Sequence, residues 1–184
     1  DEIKIILTDI DDTITTDGSL KSSSYSAIER LSDAGYIVIP VTGRCAGWCD
    51  HIARMWPVNG VVGENGAFFF SYNHQSKKML HTYSQSEKER TNNKKTLQKI
   101  KKIVLDTIPG SALASDQDYR KTDLAIDFAE DVPRLSTSNI KEIVNIAIKA
   151  GATAKVSSIH VNCWIGNHNK LNTTIKTLQQ NFGM

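Results

Sequence analysis

Hydrophobic and polar positions change period several times along the chain, and the changes mark out its elements. Ile3-Lys4-Ile5-Ile6-Leu7-Thr8 is an apolar run with β-branched residues and predicts a buried parallel strand. The Asp-Gly pair in Thr15-Thr16-Asp17-Gly18-Ser19 predicts a small flap over the end of that strand. Ser23 and Ser24 are candidate caps for a helix running to Ala34, with Gly35 as its terminator. Tyr36-Ile37-Val38-Ile39-Pro40-Val41 predicts a second buried strand, ending at Thr42-Gly43-Arg44. A helix over Ala46 to Met55 is stopped by Trp56-Pro57. Val61-Val62 gives a third short strand, followed by Gly63-Glu64-Asn65-Gly66 and an extended Ala67-Phe68-Phe69-Phe70. This β-α-β-α-β order predicts an α/β fold with a doubly wound parallel sheet.

The pattern then changes. Residues 86–107 predict a Lys-rich helix with Leu97, Ile100 and Val104 on one stripe. Its Lys94, Lys95, Lys99 and Lys102 read as a solvated outer face rather than a site for an anionic partner. Strand candidates follow at Ala112 to Ser115 and Leu124 to Phe128. A helix starting at Ser138 or Asn139 carries Ile143, Ile146 and Ala147 and closes at Gly151. Two more strands lie at Ala154 to Val156 and Ile159 to Ile165. Adjacent strands without crossover helices imply an antiparallel sheet with helices on one face. The order α-β-β-α-β-β therefore predicts an α+β lobe over residues 72–165, inserted into a core made of 1–71 and 166–184. Its two helix-strand-strand halves hint at a duplication. From Asn169, the residues Leu171, Thr174, Ile175, Leu178 and Phe182 form a helical stripe that ends at Gly183.

Bulk properties exclude some classes. A chain of 184 residues can bury a real core. Its formal net charge of +2 is too small to imply nucleic-acid or membrane binding. No apolar run approaches the ~20 residues that cross a bilayer. The opening Asp1-Glu2 is the reverse of a secretory leader, and Cys45, Cys49 and Cys163 are an odd count, so free thiols in a reducing cytoplasm are expected. Cys45, Cys49 and neighbouring His51 have spacing that a helix brings to one face, but without an evident fourth metal ligand they read as buried thiols.

Candidate chemistry sits at the strand ends. Asp9-Ile10-Asp11-Asp12-Thr13 places three carboxylates where open α/β sheets put their sites. Taken alone, such a cluster can be a helix cap or turn. Crowded carboxylates need positive compensation, for which Mg²⁺ is the natural candidate. Thr42 and Lys170 end or follow other elements, and in a phosphoryl transfer each group has a task. An aspartate can attack phosphorus, a second carboxyl can protonate the leaving group, a hydroxyl and a glycine N–H can hold the equatorial oxygens, and a lysine can balance charge.

In this order the motifs resemble those of the haloacid dehalogenase (HAD) superfamily of phosphatases. Asp9-x-Asp11-x-Thr13 is similar to its first motif, Val41-Thr42-Gly43-Arg44 to its second, and Lys170 after an inserted lobe to its third. Gly63-Glu64-Asn65-Gly66-Ala67 resembles the segment before the large cap of the subgroup that includes sugar-phosphate phosphatases and phosphomannomutases. The resemblance implies a Rossmann-like core and a phosphoric monoester hydrolase. It implies Asp9 as nucleophile and Mg²⁺ ligand, and Asp11 as general acid/base offering its backbone carbonyl to the cation. It also implies Thr42 and Lys170 as phosphoryl and charge stabilisers. Asp12 reads as a cap or flap contact, and Thr13 as a structural residue bonding backbone near the flap.

Gly43, Arg44 and Asn65 are further candidates for substrate contact, although Arg44 also suits an exposed surface and Asn65-Gly66 an ordinary turn. Strand alternation puts His160 and Asn162 on one face of the lobe, opposite Ile159, Val161 and Cys163. That face either meets the leaving group or is simply wet.

One departure from the family pattern stands out. Nothing after Lys170 is acidic, whereas the family carries a further acidic motif there; truncation of a longer phosphatase, with the core incomplete at the C-terminus, is the favoured expectation over a shortened relative that binds metal poorly, and weak or absent turnover is expected of this 184-residue form. The leading expectation is a Mg²⁺-dependent phosphatase that hydrolyses a small phosphorylated metabolite, a sugar phosphate above all, through an aspartyl phosphate. The alternatives are a phosphomutase of the same fold, a catalytically silent binding module, and a phospho-accepting receiver domain, whose accepting Asp lies on a middle strand.

Overall fold

The computed structural model describes residues 3–183, so the expectations resting on Asp1-Glu2 and Met184 lie outside the described residues. The chain forms two compact units, Asp1–Ser84 with His168–Met184, and Gln85–Asn167.

In the first unit, β1 (Ile5–Thr8) pairs in parallel with β4 (Ile37–Pro40), Ile5 opposite Ile37 and Thr8 opposite Pro40. A small hairpin of β2 (Thr15–Thr16) and β3 (Ser19–Leu20) and the helix α1 (Ser22–Asp33) lie between them in the chain. Helix α2 (Ala46–Met55) leads to β5 (Val61–Gly63), which joins the sheet through a parallel bridge between Val41 and Val62. Continuous burial of Val38, Ile39, Val61 and Val62 explains why these strands read as unbroken apolar runs. Ile28 of α1 and Ala46 and Ile52 of α2 pack with Val38 and Val61 on one face. On the other face, Leu178 and Phe182 of α5 (Lys170–Phe182) pack against Ile39, Val62 and Phe69. Helices thus cover both faces, as a doubly wound sheet requires.

Three details differ from the sequence reading. β1 is only half-buried and Leu7 is exposed, because among the described residues it pairs with β4 alone. Helix α1 begins at Ser22 with Lys21 at its N-cap and no side-chain cap, so neither Ser23 nor Ser24 caps it. The extended segment after Ala67 is β6 (Phe68–Asn73), and it pairs antiparallel with β5 and with β7 (Lys78–Tyr83). β7 has no sequence signature of its own, since most of it is exposed. It nevertheless binds residues 72–84 to the first unit, past the boundary expected at 71.

The second unit runs α3 (Glu87–Thr107), β8 (Ala112–Leu113), β9 (Asp123–Asp127), α4 (Thr137–Lys149), β10 (Thr153–Val156) and β11 (His160–Trp164). Its sheet is antiparallel in the order β10-β11-β9-β8. Leu97, Ile100 and Val104 of α3 and Ile143 and Ala147 of α4 pack with Leu124, Ile126, Val161 and Cys163, so both helices lie on one sheet face. Helix α3 starts with a capping box between Ser86 and Glu89, and its Lys94, Lys95, Lys99 and Lys102 are exposed. Helix α4 starts before Ser138, capped by Ser136, whose Oγ accepts from Asn139 N at 3.1 Å. The fold is α/β with an inserted α+β lobe of α-β-β-α-β-β order. Among the described residues, no helix is long and apolar enough to cross a membrane.

Candidate active site

The site lies within the first unit, where β1 and β4 end side by side and Val41 N donates to Thr8 O at 2.7 Å. That register delivers Asp9 next to the segment Val41-Thr42-Gly43. The Asp9 carboxylate accepts from its neighbour Ile10 N at 2.8 Å and from Lys170 Nζ at 2.6 Å. Lys170 opens α5, whose N-cap Asn169 accepts from Asn172 N at 2.8 Å. Residues 161 positions apart in sequence are thereby joined by one ion pair.

Asp11 leaves the same strand end and meets Arg44, whose Nε lies 3.0 and 3.1 Å from its two oxygens and whose Nη2 lies 2.6 Å from Oδ1. The guanidinium also lies over the Trp48 ring, 4.4 Å from its centroid. Two basic side chains therefore already compensate the two candidate carboxylates. Asp12 adopts φ +56°, and its N–H and the Ile10 carbonyl are both engaged by the Thr15 hydroxyl. The flap-bonding hydroxyl is thus Thr15, whereas Thr13, exposed, bonds to Ile10 O through its backbone N–H.

Thr42 is fully buried. Its N–H donates to Val62 O at 2.8 Å, its carbonyl accepts from Asn65 N at 3.2 Å, and its hydroxyl accepts from Arg44 N at 3.1 Å. The hydroxyl proton is then left to donate. Asn65 packs on this loop so closely that a Cβ on Gly43 would lie 3.1 Å from its Oδ1.

The turn that carries Asn65 is unusual. Glu64, Asn65 and Gly66 all have positive φ, at 42°, 57° and 100°. Glu64 is fully buried and was not singled out from sequence. Its Oε1 accepts from Ala46 N at 2.9 Å at the start of α2, where the helix dipole favours a carboxylate. The Gly66 carbonyl accepts from Thr173 Oγ1 at 2.6 Å and from Ser84 Oγ at 2.7 Å. These bonds clamp the turn to α5 next to Lys170. The sequence signal for this role was only the Asn-Gly pair and a glutamate inside an apolar stretch.

The other two candidates, His160 and Asn162, belong to the second unit. They are 5% and 8% exposed, so the wet-face reading does not hold. His160 Nε2 lies 2.7 Å from Glu130 Oε2, an ion-pair distance without hydrogen-bond alignment, and Asn162 Oδ1 has no hydrogen-bond partner. Across the sheet from His160, Asp127 accepts three backbone N–H bonds, from Ala129, Glu130 and Asp131, at 2.8–2.9 Å. Burial opposes its charge, yet these bonds, with His160 nearby, hold its carboxyl below the usual value. Arg120, also not foreseen, is buried between Asp116 and Asp123. Burial works against its charge, but the two carboxylates raise its pKa overall.

The three thiols are all buried. Burial, with the Asp123 charge, pushes the Cys163 thiol up to about 12. Among the described residues, no group of three His, Cys, Asp or Glu side chains is arranged to hold a metal, and Cys45 and Cys49 gain no further ligand from His51.

A sequence profile of haloacid dehalogenase-like hydrolases matches residues 6–184. The chain belongs to this family. Comparison with curated protein sequences finds no significant match. Solved structures share the fold. A Thermoplasma acidophilum protein superposes with a TM-score of 0.72 at 14% identity, over 99% of this chain and 72% of its own. The C-terminal domain of the C. albicans trehalose-6-phosphate phosphatase gives 0.69 at 17% identity, over 95% of this chain and 60% of its own. The sucrose-phosphatase of Synechocystis, solved with sucrose and phosphate, gives 0.64 at 14% identity, over 99% and 71%.

For a haloacid dehalogenase-like hydrolase the donor set at the first motif suits a hard cation. The Asp9 carboxylate is 45% exposed, and the Asp11 backbone carbonyl two residues on is a second oxygen donor at the same strand end. Mg²⁺ is commonly bound by one or two carboxylates, with water and substrate phosphate completing its shell, so this set suits it.

Proposed function

We propose that this hydrolase is a Mg²⁺-dependent phosphatase of a small phosphorylated metabolite, with a sugar phosphate as the substrate class. The observation that carries the reading is the Asp9–Lys170 pair at 2.6 Å, set beside the Thr42-Gly43 loop. The Asp9 carboxylate attacks phosphorus; the P–O bond to the leaving group breaks, and an acyl phosphate forms. Asp11 gives its proton to the departing oxygen, then takes one from the water that attacks the acyl phosphate and regenerates Asp9. The Arg44 fork must open before Asp11 can do this, because it occupies both carboxylate oxygens. Thr42 Oγ and the Gly43 backbone hold the phosphoryl oxygens, and Lys170 offsets charge on nucleophile and phosphate. Asp9 and the Asp11 carbonyl would hold Mg²⁺, which when bound supplies further charge neutralisation at the phosphate.

The second unit, Gln85–Asn167, acts as the specificity cap in this reading, with His160 and Asn162 as its candidate substrate contacts. The sugar-phosphate class is supported by the fold shared with trehalose-6-phosphate and sucrose phosphatases. The three buried cysteines suit a reducing, cytoplasmic setting.

A panel of phosphate esters assayed with Mg²⁺ tests the proposal. Asp9→Asn should abolish turnover and remove the beryllium-fluoride adduct on residue 9, with unfolding stability nearly unchanged. Retained hydrolysis in Asp9→Asn would assign the nucleophile elsewhere.

A further inference from the structure

We infer that Asn65 donates its side-chain amide to a non-bridging oxygen of the transferring phosphoryl group and so stabilises the transition state. The inference rests on the phosphatase reading above and adds a residue to its machinery.

Three independent features lead here. First, Asn65 is 6% exposed, yet its Nδ2 has no hydrogen-bond partner. Leaving a buried donor unpaired costs about 1–3 kcal/mol, so such groups are normally satisfied or await a ligand. Second, the backbone holding this amide is strained. Asn65 sits at φ 57° between Glu64 at 42° and Gly66 at 100°, and strain of this kind concentrates where a ligand is handled. Third, the amide is kept against the phosphate loop. Asn65 N is bonded to Thr42 O, and a Cβ on Gly43 would lie 3.1 Å from Oδ1 and 3.3 Å from Nδ2. The absence of a side chain at residue 43 is what leaves room for the carboxamide there.

The chemistry of the missing partner follows from its neighbours. Thr42 Oγ has a proton to give, and Lys170 brings an ammonium to Asp9 at the adjacent strand end. A third donor held on the Thr42-Gly43 loop beside these two suits a ligand with several acceptor oxygens. A phosphoryl group passing through its transition state presents three equatorial ones. Because the turn is pinned by the Ser84 and Thr173 bonds to Gly66, the donor is held in place before substrate arrives.

The test uses Asn65→Gly and Asn65→Asp in the full chain. Glycine accepts the positive φ and removes only the amide. Aspartate tolerates the same backbone and keeps the shape while replacing the donor with an anion. Turnover of p-nitrophenyl phosphate is measured with Mg²⁺, and binding of orthovanadate and of inorganic phosphate by calorimetry. We expect Asn65→Gly to lower kcat by about 10²–10³-fold with little change in KM. Vanadate affinity should fall by at least about tenfold more than phosphate affinity, and Asn65→Asp should be at least as impaired. A folded Asn65→Gly with wild-type kcat and wild-type vanadate affinity overturns the inference. So does an Asn65→Asp that retains both, should the glycine variant not fold. Wild-type protein that neither hydrolyses phosphate esters nor binds vanadate overturns the phosphatase reading itself, and this inference with it.

Discussion

Replacing Gly66 by alanine is the sharpest probe of how the site is held together. Residue 66 has φ +100°, and an added Cβ would lie 2.2 Å from Asn169 O, 2.3 Å from Asn169 C and 2.8 Å from Lys170 N. All three are backbone atoms, so no side chain can swing away. Ordinary contact begins at 3.4 Å, which means that the start of α5 must retreat by about 1.2 Å or the turn must move by as much. Forcing an alanine into left-handed backbone costs about 1–2 kcal/mol, and a partly relieved overpacking adds about 1–3 kcal/mol. Gly66→Ala should therefore lose about 2–5 kcal/mol of unfolding stability in urea. Its larger effect is on catalysis, because Lys170 begins the helix that is displaced and Asn65 precedes the residue that displaces it. A misplacement near 1 Å can cost about 10²-fold in rate, and kcat should fall by at least that much in protein still folded at the assay temperature.

Gly35→Ala is the control. Gly35 has φ +85° with nothing within 4 Å of the added Cβ, so it carries the backbone strain without the collision. It should lose about 1–2 kcal/mol and keep wild-type kcat. If folded Gly66→Ala turns over at the Gly35→Ala rate, the clamp between the turn and α5 does not position the site.

Two further outcomes follow from pairs seen in the two units. Arg44→Met removes a half-exposed ion pair, 21% and 43% exposed, worth at most about 1 kcal/mol of stability; because the opened fork is the candidate substrate contact, kcat/KM should nevertheless fall by more than about tenfold, and unchanged or raised kcat/KM would leave Arg44 no role beyond its hold on Asp11. Asp127 has its carboxyl held below the ordinary 3.8, so the stability it contributes is present above that value and is lost as pH falls through the lower folded value. Asp127→Asn should cost about 1–3 kcal/mol in urea at about pH 7, with the gap from wild type narrowing progressively as pH falls below 3.8; a gap that keeps its full size however far below 3.8 the protein stays folded contradicts the assignment.

What the sequence made legible depended on the kind of signal each residue carries. Strands β4 and β5 and the helices α2 to α5 were legible because burial on one or both faces writes itself into spacing, as with Leu97, Ile100 and Val104. β7 was not, because an exposed edge strand is held by backbone bonds to β6 and needs no apolar pattern. The start of α1 was misplaced for a related reason. Ser23 and Ser24 were the cap candidates, yet the helix begins before both, at Ser22, and leaves its end without a side-chain cap. Asp9, Asp11, Thr42 and Lys170 were found as motifs, but their pairings were not. Nothing in spacing tells that Arg44 closes on Asp11, or that Glu64, a charged residue in an apolar stretch, is buried against the start of α2.

The pairings share a physical origin that composition hides. Asp9 and Asp11 after β1 and Glu64 after β5 each meet a donor delivered by a different element: Lys170 from α5 for Asp9, Arg44 from the loop after β4 for Asp11, and Ala46 N from α2 for Glu64. No one of these donors could be placed without the turn at residues 63–66, which fixes α2 through Glu64, the Thr42 loop through Asn65 and α5 through Gly66. Two successive non-glycine residues at positive φ, Glu64 and Asn65, are unfavourable on their own, and would relax if any alternative turn met the same three elements. The strain persists because the surrounding hydrogen bonds over-determine it, and they leave the buried Asn65 side-chain amide without a partner. A turn that served only to connect β5 to β6 would have no reason to keep that donor buried.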